Sequence, residues 1–214
     1  MIYSNEKNCF KFYSWCKHEL QLGLSISMEI VFVKPYNIIY SILLYRKDVE
    51  FMSYNVLDIC RHAINYSNES DYGISNLKLQ KVLYFIQAYF LTKKKEHDPC
   101  FDERIEAWDF GPVVPIAYHE YKQYGSGDIP TIESYIMVDE NDIWNSKRVE
   151  FDDTTIKNED KVLIDKVIDK FADYSATDLV SLTHRQSPWI DAYVPYQNNE
   201  ITNEAIKEYF NGWW

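Results

Sequence analysis

The sequence predicts a mostly α, α+β fold, a compact helical domain with a small antiparallel β element. Three observations predict it. Apolar residues recur at helical spacing in one segment after another. A short stretch around Ile105 to Trp108 alternates in the manner of a strand. The chain is 46% hydrophobic with six glycines and seven prolines, enough for a packed core and too few breakers for a low-complexity linker.

Residues 1–51 stand apart from this pattern, with neither a clean helical nor a clean strand period. They carry six basic and five acidic residues, and Met28 and Met52 follow Met1 as further possible starts. Arg46-Lys47-Asp48 back-translates to a purine run resembling a ribosome-binding site upstream of Met52. The expectation is therefore an N-terminal extension, or a leader read through from upstream, followed by a domain over residues 52–214.

From Met52 the elements follow in order. Val56, Ile59, Cys60, Ala63 and Ile64 give a helix, with Ser53 as a candidate cap. Ser75 caps a second helix, in which Leu79, Val82, Leu83, Ile86, Tyr89 and Phe90 spread over so much of the circumference that it should be central. Lys93, Lys94 and Lys95 then complement its dipole. Ile105 to Trp108 forms a strand, broken at Gly111-Pro112. Pro115 opens a helix running to Tyr124, and Gly125 stops it. Residues 126–156 read as a hairpin or an extended excursion. Val162, Leu163, Val167, Ile168 and Phe171 mark an amphipathic helix. Ser175 and Asp178 form a capping pattern for the next, with Leu179, Val180 and Leu182 inward. Pro188 opens a last short helix carrying Trp189, Ile190 and Tyr193.

The formal charge is −11, from 22 basic and 33 acidic side chains. Such a field disfavours nucleic acid and attracts basic partners. Cys9, Cys16, Cys60 and Cys100 lack C-x-x-C spacing and read as free cytosolic thiols. The most apolar stretch, residues 24–45, is interrupted by Glu29, Lys34 and Pro35 and falls short of a membrane span. The expected location is the cytoplasm.

Three stretches, "LKLQKVLYFIQAYFL", "IEAWDFGPVVPIAYHEYKQYG" and "DLVSLTHRQSPW", occur in this order. Together they resemble the Panacea domain, the family of SocA-like antitoxins and phage-associated GepA-like proteins. The resemblance runs from about Met52 to about Tyr193. It implies a bacterial or prophage protein of a toxin–antitoxin system that binds and neutralises a co-encoded toxin, with no catalysis and no cofactor. It also implies an alternative, an adaptor delivering a toxin or phage protein to a AAA+ protease such as ClpXP. The candidate motif or toxin-contact residues are Lys78 and Gln80 in the first stretch. The second contributes Trp108, Phe110, Pro112, Tyr118, His119 and Tyr121, and the third His184 and Trp189.

The residues themselves weigh against chemistry. Ser181 and His184 could be neighbours one turn apart on a helix, with Asp178 a turn earlier. However, no G-x-S-x-G elbow or glycine-lined oxyanion site accompanies them. At His119, "HEYKQ" has Gln123 where a zinc-binding H-E-x-x-H needs its second histidine. His119 and His184 could meet as a buried hydrogen-bonded pair. Thr183 back-bonding, His184 and Arg185 in a last helical turn and Trp189 returning to the core read instead as a corner that fixes the angle between two helices.

Overall fold

The computed structural model describes residues 53–94, 98–138 and 143–214, which fall within a compact unit opening at Ser53. The expectation for residues 1–51 lies outside the described residues.

Helix α1 spans Val56–Glu69 and buries the predicted apolar residues. Its cap is Asn55 and not Ser53. The Asn55 side chain accepts from Leu57 N at 2.8 Å, whereas Ser53, two residues too early, donates to the Asp102 carboxylate. Helix α2, Asn76–Lys93, is capped by Ser75 and is buried on nearly every side. An all-round apolar helix needs neighbours all round. It packs against α1, against strand β2 (Gly111–Val113) and against four further helices. These are α3 (Pro115–Tyr121), α4 (Asn158–Lys170), α5 (Ala176–Thr183) and α7 (Asn203–Phe210).

Strand β1 is Ile105–Trp108, as its alternation suggests. Gly111-Pro112 does not end the element. The chain turns at Asp109-Phe110 and β2 returns antiparallel, pairing Glu106 with Val113 and Trp108 with Gly111. Proline is tolerated in β2 because this strand lies at the sheet edge, where a missing N–H breaks no ladder. On the other side of β1 runs β5, Glu200–Ile201, also antiparallel. A separate antiparallel pair, β3 (Ser134–Met137) with β4 (Lys147–Glu150), lies within residues 126–156, where a hairpin or an extended excursion was expected.

In α4 the buried face comprises Ile164, Val167 and Ile168, with Phe171 at the cap. Val162 is exposed and Leu163 only half-buried, contrary to expectation. At about 100° per residue, Val162 lies roughly 160° away from Ile164, on the solvent side. Ser175 and Asp178 form the predicted capping box of α5, and Pro188 sits in the first turn of α6, Ser187–Ala192. Cys60 and Cys100 are buried free thiols. Among the described residues no helix is long and apolar enough to cross a membrane.

Candidate functional site

The three stretches that carry the family resemblance converge on the β1–β2 hairpin. Lys81, from α2, is fully buried and donates from Nζ to the carbonyl of Pro112 at 2.8 Å. Burial pushes its pKa down to about 7, because the charged ammonium loses hydration without gaining a carboxylate. Gly111 has φ +96°, and a Cβ there would stand 2.7 Å from Thr183 Oγ1 and 2.9 Å from Lys81 Cε. Only glycine accommodates both that backbone and that approach. Thr183 is itself held, donating to the carbonyls of Leu179 and Val180 at 3.0 Å each.

Further contacts clamp the same hairpin. Trp189 Nε1 donates to the carbonyl of Trp108 at 3.0 Å, and Tyr193 Oη donates to Asp109 Oδ1 at 2.9 Å. Gln80 accepts from Val114 N at 3.0 Å and donates to Asn76 Oδ1 at 3.0 Å, fixing the start of α3. The Trp189 ring lies between His184, at 3.9 Å between centroids, and Tyr193, at 4.6 Å. The Ser-Pro corner thus joins helices to the hairpin.

The hydroxyl of Ser181 is committed to the carbonyl of Thr177 at 3.0 Å, and the Asp178 carboxylate to Ser175. Neither is joined to His184, whose pKa is lowered by burial and then by the nearby Lys81, against a contact with the Asp109 backbone. His119 is exposed, with its ring near Trp108 and Tyr118, and among the described residues no hydrogen bond joins it to His184. No group of three His, Cys, Asp or Glu residues that could hold a metal occurs among the described residues.

The predicted contact residues divide accordingly. Gln80, Pro112, Tyr121 and Trp189 are buried, so they shape the site from within and do not present a surface. Lys78 is half-buried, with Nζ donating to the carbonyl of Ala172 at 2.7 Å, just beyond α4. His184 is half-buried beneath the Trp189 stack. The outward residues are Phe110, 66% exposed at the hairpin turn, the half-buried Trp108 and Tyr118, and His119. Trp108 meets Tyr118 edge-on at 5.0 Å and donates from Nε1 to Glu106 Oε2 at 2.7 Å. Buried Glu106 also pairs with Arg104 at 2.6 Å.

Sequence reasoning missed Lys81, Gly111, Thr183 as a packing partner, and Gln186. A lysine within a helix apolar on every side was the available signal for Lys81. Gln186 carried none. It is buried, and among the described residues neither its amide nitrogen nor its amide oxygen has a hydrogen-bond partner.

The family of SocA-like antitoxins with a Panacea domain matches residues 79–190, a span that includes Lys81, Gly111, Thr183 and Trp189. Antitoxin SocA of Caulobacter vibrioides (strain NA1000 / CB15N) is 46% identical over 55 residues, 26% of this chain and 28% of that protein. The chain therefore aligns with little more than a quarter of that relative's length. No solved structure matches it. With more than half of its residues inside the matched span and the family's three stretches packed around one hairpin, the chain belongs to the SocA-like antitoxin family, Panacea domain.

Proposed function

We propose that this protein neutralises a co-encoded toxin by direct, stoichiometric binding, and that the toxin docks on the β1–β2 turn and its aromatic flank. One observation carries the reading. Phe110 is 66% exposed, yet the turn that bears it is fixed by Lys81, Thr183, Trp189 and Tyr193 from α2, α5 and α6 with its flank. A large apolar ring held rigidly in water is costly alone and favourable in a complex. Covering it contributes about 1–2 kcal/mol, and its fixed backbone leaves little ordering entropy to lose on binding. Trp108 and Tyr118 beside it are of the types that anchor interfaces. The net charge of −12 on residues 52–214 (16 basic less 28 acidic) supports a basic toxin, whose encounter it would accelerate.

The test is co-expression with the product of the adjacent gene. That product should arrest growth alone and not with this protein, and the two should co-purify. Phe110→Ser should abolish protection and weaken the complex about tenfold or more, with an unchanged thermal transition. Full protection by Phe110→Ser would refute the docking site. In the protected cell the toxin should persist in complex. Its protease-dependent disappearance would make the protein an adaptor to a AAA+ protease such as ClpXP instead.

A further inference from the structure

Between α6 and β5 the chain makes a second tight turn. Gln197 N donates to the carbonyl of Val194 at 3.0 Å, closing a four-residue turn over Pro195 and Tyr196. Proline fixes its own φ in the negative region, and Tyr196 follows at φ +65°. That is the arrangement of a type II turn, whose third position suits glycine or asparagine. A tyrosine there is strained by its Cβ. Burial does not offset the strain, because the Tyr196 side chain is fully exposed. Strain kept without a packing gain points to a functional role.

The sheet sets this turn beside the one that carries Phe110. Strands β1 and β5 are antiparallel, pairing Ile105 with Ile201 and Glu106 with Glu200. Ala107 N extends the ladder, donating to the carbonyl of Asn199 at 2.8 Å. The chain leaving β1 and the chain entering β5 therefore lie at one end of the sheet. Asn199 Nδ2 also donates to the carbonyl of Ala192 at 2.9 Å, which ties the turn to the end of α6. From between the turns, Tyr193 Oη donates to exposed Asp109 at 2.9 Å. The Tyr193 pKa is raised, first by that bond, then by lost hydration and by the charges of Asp109 and Tyr196, so the Tyr196 phenol lies near the same pair. An exposed carboxylate thus has two exposed aromatic rings in its neighbourhood, Phe110 next to it in the chain and Tyr196 on the adjoining turn.

On the reading that a toxin docks at the β1–β2 turn, we propose that Tyr196 is a second anchor of that surface, and that a cationic side chain of the toxin is received at Asp109 beside the rings of Phe110 and Tyr196. An ammonium or guanidinium gains both from a carboxylate and from the faces of aromatic rings. The net negative charge of residues 52–214 favours the same sign of partner. Both turns are tied down by hydrogen bonds before binding, so little ordering is left to be imposed by the complex. Tyr193 and Tyr196 lie outside the family-matched residues 79–190. This arm therefore serves the choice of this chain's own toxin, apart from the shared framework.

The test is calorimetric titration of the full chain with the purified product of the adjacent gene, at low and high salt, with urea unfolding of each variant alone. Tyr196→Gly removes the ring and suits the turn. Its urea midpoint should be no lower than the native one, while binding weakens about tenfold or more. Tyr196→Phe keeps the ring and should retain binding. Asp109→Asn keeps an acceptor for Tyr193 but loses the charge, and should weaken binding about tenfold at low salt and less at high salt. A midpoint well below native in Tyr196→Gly would make the tyrosine a structural residue and overturn the proposal. Native affinity in Tyr196→Gly or in Asp109→Asn, while Phe110→Ser still weakens the complex, would also overturn it and leave the docking site standing. Native affinity in Phe110→Ser, or no binding by the native protein, would remove the docking site and the second anchor together.

Discussion

Replacing Lys81 with methionine tests how the hairpin is held. A lysine in an unfolded chain titrates near 10.4, whereas burial brings Lys81 down to about 7. Between those values the unfolded chain holds a proton that the folded chain lacks, so stability rises with pH by about 1.4 kcal/mol per pH unit. Below about pH 7 both states are protonated, and the full penalty, on the order of 5 kcal/mol, is constant. The clean window runs from about pH 7 to about pH 8.5. Under it, His184, its pKa lowered by burial and Lys81, begins to protonate in the unfolded chain. Above it, the buried thiols of Cys60 and Cys100, their pKa values raised by burial, begin to ionise in the unfolded chain and act in the opposite sense. Across that window the native protein should gain about 2 kcal/mol relative to Lys81→Met, read from urea unfolding at matched ionic strength. The variant also leaves the Pro112 carbonyl unpaired, a loss of about 1–3 kcal/mol that does not vary with pH and cancels in the difference. Parallel pH profiles for the two proteins would refute the reasoning.

Two further perturbations follow from the same corner. Trp189→Ala should cost about 3–5 kcal/mol in chemical unfolding, whereas Trp189→Phe, which keeps a ring between His184 and Tyr193 and loses the bond to Trp108, should cost about 1–2 kcal/mol. Equal losses would mean that the indole N–H is not a clamp. Gln186→Met removes two buried polar atoms that have no partner among the described residues and should stabilise by about 1 kcal/mol or more, seen as a higher urea midpoint. A marked loss of stability would show that the amide is satisfied in solution.

The signals read correctly from sequence were local ones. Ser75 before an apolar run, the Ser175–Asp178 box and Pro115 or Pro188 opening a helix each depend on groups within a turn of one another, and the structure has all of them. The all-round apolar character of α2 gave its central place directly. What escaped depends on distant partners. Strand β5 is two residues long and exists only because Ile105 and Glu106 pair with it, so no periodicity could disclose it. Strand β2 was read as a break because glycine and proline are poor strand formers, yet Gly111 is required by the closeness of Thr183 and Lys81. Of the ten candidate contact residues, burial removed Gln80, Pro112, Tyr121 and Trp189 from any surface. Motif membership marks a shared framework as readily as a shared contact.

The amide of Gln87 has a bearing on biosynthesis. From the middle of α2 it accepts from the N–H groups of Cys100 and Phe101 and donates to Asn203 Oδ1, while the Phe85 ring, two residues earlier, stacks on Trp213 and meets Phe210 edge-on. The central helix therefore cannot be fully enclosed until residues 203–214 have left the ribosome. A chain that lacks residues 203–214 keeps its most apolar helix open to chaperones and proteases.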